Sequence, residues 1–154
     1  MTLQMDEIDR RILRCLQRDG RMANNDLARA VGLSPSPCLR RVRLLEEAGV
    51  IDRYVAILDP AKLGKGQTFF TRIWLGAQDE GTIREFTAEI MKLPEVLECY
   101  IMLGDCDAMI RVQAADIAEY RRFQSESLSR IRSVRNVKSD VPSQIIKWTT
   151  ELPM

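Results

Sequence analysis

Between Asn24 and Ile51 the chain reads Asn-Asn-Asp-Leu-Ala-Arg-Ala-Val-Gly-Leu-Ser-Pro-Ser-Pro-Cys-Leu-Arg-Arg-Val-Arg-Leu-Leu-Glu-Glu-Ala-Gly-Val-Ile. The run predicts two helices and one sharp corner. Leu27, Ala28 and Val31 form the buried side of a short helix from about Asn25 to Val31, and Gly32 supplies the left-handed residue that lets the chain turn. Ser34-Pro35 then reads as an N-cap followed by proline at the first helical position, and the next helix extends to Ala48 and stops at Gly49. At about 100° per residue, Cys38, Val42 and Leu45 share an inner face, while Ser36, Arg40, Arg43 and Glu47 lie opposite and Arg41 sits at the boundary. A short helix, a tight corner and a second helix with outward arginines define a helix-turn-helix, whose second helix has the dimensions to enter the major groove of duplex DNA.

Charge distribution agrees with that geometry better than total charge does. The net charge is only +1, yet residues 1–60 carry ten arginines, no lysine and nine acids, and Ser34–Leu45 holds three arginines with no acid. Such a local basic stripe serves nucleic acid without making the whole chain basic. At 154 residues, with 45% hydrophobic and 29% charged positions, the chain suits one medium or two small globular domains. No apolar run approaches a membrane span and the N-terminal Met-Thr-Leu-Gln-Met-Asp has no signal-peptide pattern, so a cytoplasmic protein with no membrane partner is expected. The four cysteines form no C-x-x-C pair and there is no histidine. Reduced thiols, no metal site and no cofactor are therefore expected, and the commonest general base is missing.

Asp6 is the expected N-cap of a first helix, with Asp9 in the third-position role of a capping box. Met5, Ile8, Ile12, Cys15 and Leu16 fall on one face, and Asp19-Gly20 ends the element. Ile51–Leu58 reads as a strand, either completing the small domain or forming an arm that pairs with its copy in a dimer; the arm is favoured, because an unpaired apolar edge is a liability. Asp59-Pro60 and Gly64-Lys65-Gly66 mark a linker, placing a helix-turn-helix domain with its linking strand at residues 1–60 and a second domain at 61–154. In the second, Gln67–Leu75 predicts a strand, Thr82–Leu93 a helix, Val96–Leu103 a strand, Gly104–Asp107 a turn, Ala108–Gln113 a strand, Asp116–Ile131 a helix and Val137–Trp148 an extended segment bent or edged by Pro142. The order βαββαβ gives an α+β chain with a ferredoxin-like C-terminal domain.

With a helix-turn-helix in front and βαββαβ behind, the chain resembles the Lrp/AsnC (feast/famine) transcriptional regulators over nearly its whole length. The resemblance rests on Ile8-Asp9-Arg10-Arg11-Ile12-Leu13, on Val31-Gly32-Leu33-Ser34-Pro35-Ser36-Pro37-Cys38-Leu39-Arg40-Arg41-Val42, and on Gly104-Asp105-Cys106-Asp107. The ending Lys147-Trp148-Thr149-Thr150-Glu151-Leu152-Pro153 resembles the K-[YW]-T-T-x-L-P ending of one branch. An aromatic is common at the third place of the Gly-Asp-x-Asp turn, where this chain has Cys106. The resemblance implies a RAM-type ligand domain, a homodimer built through the βαββαβ domains, further assembly to an octamer as a tetramer of dimers, and a small amino-acid effector held where dimers meet.

Two sets of candidate residues follow. For double-stranded DNA they are Ser34, Ser36, Pro37, Arg40, Arg41 and Arg43. Arg40 and Arg43 are placed to read bases, Arg41 to reach phosphate or to pack, and Ser36 and Pro37 to touch base edges or backbone. For the effector they are Tyr100, Met102, Leu103, Gly104, Asp105, Cys106 and Asp107. A carboxylate of Asp105 or Asp107 would accept from the ligand ammonium, and backbone N–H groups near Gly104 would bind its carboxylate. The Ser133–Asn136 loop is a further contributor, from a neighbouring subunit. Cys106 reads as an ordinary turn residue or, more sharply, as a thiol that senses oxidation or favours sulfur-containing ligands. The expected function is a DNA-binding transcription regulator answering to an amino acid; the alternative is an architectural DNA-wrapping protein. An enzyme ranks last, since no nucleophile–base pair is recognisable.

Overall fold

Helix α1, Glu7–Arg18, begins at a reciprocal capping box. The Asp6 carboxylate accepts from the Asp9 N–H at 2.9 Å, and the Asp9 carboxylate accepts from the Asp6 N–H at 3.1 Å. This computed structural model describes residues 4–154; Met1–Leu3, part of the stretch read as lacking a signal peptide, lie outside the described residues. Helix α2 spans Asn24–Val31 and helix α3 Pro35–Glu47. Between them Gly32 sits at φ +76°, where an L side chain is strained, and Leu33 N–H reaches back to the Ala28 carbonyl at 2.8 Å. Ser34 is the N-cap of α3 in backbone conformation, but its side chain makes no capping bond. The start of α3 is held instead by Asn24, whose side-chain amide donates to the Pro35 carbonyl at 2.9 Å. Ile12, Leu13, Leu27, Ala28, Val31, Cys38, Val42 and Leu45 bury together as the core of this unit. Cys15 packs on that core half-buried.

Within the single chain, Ile51–Leu58 does not form a strand that completes the small domain. Residues 52–59 have no regular structure, and Tyr54, Val55, Ile57 and Leu58 are exposed. A strand exists only by ladder pairing, and among the described residues this segment has no partner.

In the second unit the elements run β1 (Gln67–Leu75), α4 (Glu80–Ile90), β2 (Val96–Ile101), β3 (Ala108–Ala114), α5 (Ile117–Glu126), a short 3-10 turn at Leu128–Arg130, and β4 (Val134–Asp140). The four strands form one antiparallel sheet in the order β2-β3-β1-β4, the ferredoxin-like arrangement. Alternation decides which face is covered: Phe69, Thr71, Ile73 and Leu75 of β1 and Ala108, Ile110, Val112 and Ala114 of β3 are buried. They meet Phe86 and Ile90 of α4 and Tyr120 and Phe123 of α5. Tyr120 stacks on Phe69 with ring centroids 4.0 Å apart, and its hydroxyl bonds to Thr71 at 2.6 Å and to Ser139. The buried hydroxyls therefore satisfy one another.

Element ends differ from expectation for local reasons. Helix α4 starts at the cap of Asp79, which accepts from Thr82 N–H at 3.0 Å, and it ends at Ile90, short of Leu93. The helix expected over Asp116–Ile131 breaks at Ser127 into the 3-10 turn, which still buries Leu128 and Ile131. Strand β4 begins at Val134 and ends at Asp140, rather than spanning Val137–Trp148, because Pro142 lacks an N–H to continue the ladder. By internal contacts the chain divides into a unit of residues 1–57 with 146–154 and a unit of residues 58–145.

Two glycines separate backbone need from habit. A Cβ at Gly32 would meet no atom, so Gly32→Ala isolates the cost of positive φ, about 1–2 kcal/mol. Gly104 has no positive φ and equally open surroundings, so Gly104→Ala should change stability by less than about 0.5 kcal/mol. Urea unfolding of the two variants checks the contrast.

Candidate nucleic-acid interface and ligand cleft

Helix α3 presents the first set of residues as expected from its periodicity. Ser34, Ser36, Pro37, Arg40 and Arg43 are exposed, while Cys38, Val42 and Leu45 are buried beneath them. Among the described residues neither Arg40 nor Arg43 has an ion-pair or hydrogen-bond partner. Two guanidinium groups are thus held on a rigid helix with their donors unused. The helix N-terminus is a weaker anion site than most, because Pro35 and Pro37 have no N–H and Cys38 N–H is taken by the Ser34 carbonyl at 3.2 Å.

Arg41 is different. Its Nη1 donates to Asp9 Oδ1 at 2.7 Å and to Asp6 Oδ2 at 2.9 Å, and its side chain is mostly buried. One guanidinium therefore closes on the two carboxylates that cap α1, tying α3 to the start of that helix. Asp6 is held below the usual carboxylate range, first by the Asp9 N–H and then by Arg41. The Asp9 and Asp6 carboxylates in turn hold the Arg41 proton more tightly. Arg41 is the one member of the DNA set that the structure directs inward.

Further along, the Tyr54 hydroxyl donates to Glu46 at 3.0 Å. Burial and that carboxylate push the phenol up to about 12. The Tyr54 ring packs against Gly20, so the start of the linker is fastened to the helical unit.

The second set lies at the β2–β3 turn. Met102 N–H donates to the Asp107 carbonyl at 2.9 Å, and Asp107 N–H donates to the Ile73 carbonyl at 3.0 Å. Tyr100, Met102, Leu103, Gly104 and Asp105 are exposed, Leu103 fully. Cys106 is buried, so its thiol faces the interior rather than the outer surface of the turn. Asp107 is half-buried and already engaged: Oδ2 accepts from Leu75 N–H at 2.7 Å and Oδ1 from the Gln78 amide at 2.6 Å. A carboxylate has capacity for further donors beyond these two.

Beside Asp107 opens a cleft of about 480 Å³, lined among others by Trp74, Gly76, Gln78, Asp107, Arg135 and Asn136. Its lining includes one acidic and one basic residue, Asp107 and Arg135, the charge types that complement the ammonium and carboxylate of an amino acid. Trp74 is fixed there by its indole N–H, which donates to the Asp105 carbonyl at 2.6 Å. Sequence reasoning reached residues 133–136 as a contribution from a neighbouring subunit; the structure puts Arg135 and Asn136 beside Asp107 of the same chain. Trp74 and Gln78 carried no motif, and only the pairing of β1 with β3 and β4 brings them to the turn. Among the described residues no cluster suited to a metal ion is present, and no helix is long and apolar enough to cross a membrane.

The sequence matches the winged helix-turn-helix DNA-binding family over residues 5–52 and the Lrp/AsnC ligand-binding domain over residues 68–152. It is 38% identical to the leucine-responsive regulatory protein of Salmonella typhimurium over 148 residues, 96% of this chain and 90% of that protein. Among solved structures it is similar to an AsnC family transcriptional regulator from Agrobacterium tumefaciens, at 44% identity and a TM-score of 0.92, with 97% of each chain covered. A transcriptional regulator from Neisseria meningitidis, solved as a complex with L-Met, shares 35% identity and a TM-score of 0.93, again over 97% of each chain.

The Arg41 clasp yields a pH-dependent prediction. Because the Asp6 carboxyl is depressed in the folded chain, the stability it contributes is complete above its ordinary value of 3.8 and is lost as pH falls through the lowered one. Arg41→Ala should cost about 1–3 kcal/mol at pH 7. The gap between wild type and variant should hold between about pH 5 and 8 and shrink below about pH 4, as read by urea unfolding at each pH. A gap that persisted unchanged at pH 3 would contradict the assignment.

Proposed function

Because the chain belongs to the Lrp/AsnC family of transcription regulators, we propose that it reads a specific duplex site through α3 and answers to an apolar L-amino acid. The family is one of DNA-binding regulators with a ligand-binding domain, not of enzymes. What carries the reading in this chain is the state of Arg40 and Arg43: exposed, unpaired among the described residues, and mounted on a helix whose inner face is locked. A guanidinium forks onto guanine O6 and N7 in the major groove, while Ser34, Ser36 and the exposed turn around Pro37 lie where backbone contacts are made.

The proposed oligomer is a homodimer, assembled further into an octamer. Two observations support the dimer. The sheet face away from the helices carries exposed Phe70 and Tyr100 beside the Arg111–Glu98 and Arg72–Asp140 pairs, a mixed surface suited to a second copy. The exposed segment Val55–Leu58, without a ladder partner among the described residues, gains one by pairing across a two-fold axis.

The effector is proposed to bind where the β2–β3 turn meets a neighbouring dimer, with Arg135 taking the ligand carboxylate and Asp107 the ammonium. Asp105, Tyr100, Met102 and Leu103 are not among the residues that line this cleft; they are exposed along β2 and the turn after it, where a fully exposed leucine favours coverage by another subunit. L-Met, present in the Neisseria structure, and leucine, after which the Salmonella relative is named, are the first ligands to test. A ligand that bridges dimers favours one assembly over another, and so changes which arrangement of half-sites is bound.

Arg40→Ala and Arg43→Ala should each weaken operator binding by about 1–3 kcal/mol and leave the native mass unchanged, as read by fluorescence anisotropy and light scattering. Wild-type affinity and selectivity in both variants would remove α3 as the reader. Arg135→Ala should abolish the calorimetric signal of the amino acid while DNA binding is retained, and Asp107→Ala should do the same with some loss of stability through the Leu75 N–H. Undiminished effector affinity in Arg135→Ala would place the ligand elsewhere.

A further inference from the structure

The segment Glu151–Met154 belongs by its contacts to the helical unit and lies along one face of α1. Gln17 grips a single residue of it at both main-chain groups: its Nε2 donates to the Leu152 carbonyl at 3.1 Å, and its Oε1 accepts from the Leu152 N–H at 2.6 Å. Arg14 Nη1 donates to the Met154 carbonyl at 3.3 Å, and Arg18 Nε reaches the Glu151 carboxylate at 3.5 Å. Glu151 N–H donates to Thr149 Oγ1 at 3.0 Å, just before the contact. Arg14, Gln17 and Arg18 are spaced i, i+3, i+4 and therefore share a face.

The chemistry of the contact is that of strand recognition. An amide side chain that satisfies both the N–H and the C=O of one residue substitutes for a neighbouring strand and is indifferent to the side chain there. In keeping with this, the Leu152 side chain stays exposed, and the Arg18–Glu151 pair, exposed on both sides, adds little. None of the three α1 residues belongs to the buried core or to the outer face of α3.

We propose that the Arg14–Gln17–Arg18 face of α1 is a docking surface whose occupant is this chain's own Glu151–Met154 segment, forming a second tether between the two units. The chain leaves the helical unit after residue 57 and returns to it at residue 146. With the segment docked, the helical unit is attached through two stretches of chain instead of one, which removes conformations that a single linker allows. Resting on the DNA-binding reading, the consequence is a narrowed tolerance for half-site spacing. Release of the segment widens it.

Hydrogen exchange and DNA binding test this together in the full-length protein. The Leu152 N–H should exchange more slowly than its neighbour at Thr150 in wild type, and Gln17→Ala should abolish that difference. Free exchange of Leu152 in wild type overturns docking. In oligomers mixed from labelled Gln17→Ala and unlabelled wild-type chains, the labelled Leu152 should stay unprotected; recovered protection means docking from a second copy and overturns the tether within one chain. On duplexes whose half-sites are moved by about half a helical turn, wild type should lose affinity, and Gln17→Ala should lose on the order of fivefold less. A chain stopped after Thr150 should behave as Gln17→Ala does, with no further effect when the two changes are combined. Additive effects, or identical spacing profiles for wild type and variant, overturn the tether. Absence of binding to any duplex overturns the DNA-binding reading instead, a result separable from the exchange measurement.

Discussion

The pairing of Arg41 with Asp6 and Asp9 is the constraint on which the DNA-reading unit turns. Three short helices enclose a small core, and short helices are marginal without such fixings. The two aspartates already cap α1 reciprocally, and the same carboxylates receive the one α3 arginine that points inward. Cap and inter-helix tie are therefore a single cluster, in which each charge is hydrogen-bonded and none is buried alone. What this secures is direction. Arg40 and Arg43, one position before and two after Arg41, can face outward with fixed bearing because Arg41 and the buried Cys38, Val42 and Leu45 settle the rotation of α3.

The sheet unit follows a different logic. One face is closed by α4 and α5 over an apolar layer that includes a satisfied hydroxyl cluster at Thr71, Tyr120 and Ser139. Its other face, the turn after β2 and the segment after α3 remain open and partly apolar. Exposed apolar surface of this kind is a cost for an isolated chain and an asset for an assembled one. The cleft is lined by Asp107, the last residue of that exposed turn, so in the proposed reading ligand and neighbouring subunit act on the same few residues.

Features encoded within a few residues of one another were legible in the sequence. The capping box at Asp6, the left-handed corner at Gly32 and the inward row Cys38, Val42 and Leu45 follow from spacing alone. So do the alternating strands β1 and β3. Features that depend on remote partners were not. Ile51–Leu58 has strand composition, but composition supplies no ladder. The break at Ser127 is hidden because the following 3-10 turn keeps burying Leu128 and Ile131 at nearly helical intervals. Spacing put Arg41 at the boundary, to reach phosphate or to pack, and only its partners 35 and 32 residues earlier decide for packing. The Ser133–Asn136 loop reads in the sequence as reaching the effector turn from a neighbouring subunit, whereas Arg135 lines a cleft with Asp107 of its own chain; Gln17 gave no sign of holding Leu152, 135 residues away. Cys106, read as an ordinary turn residue or as a sensing thiol, is buried, which spacing alone does not show.

Methylation interference on a selected binding site addresses the central claim most directly, since N7 of guanine lies in the major groove and N3 of adenine in the minor. Entry of the α3 arginines into the major groove predicts that guanine N7 methylation blocks binding in two patches, their centres separated by about 10.5 base pairs or a multiple of it. Interference confined to adenine N3, or none that depends on position, would contradict it.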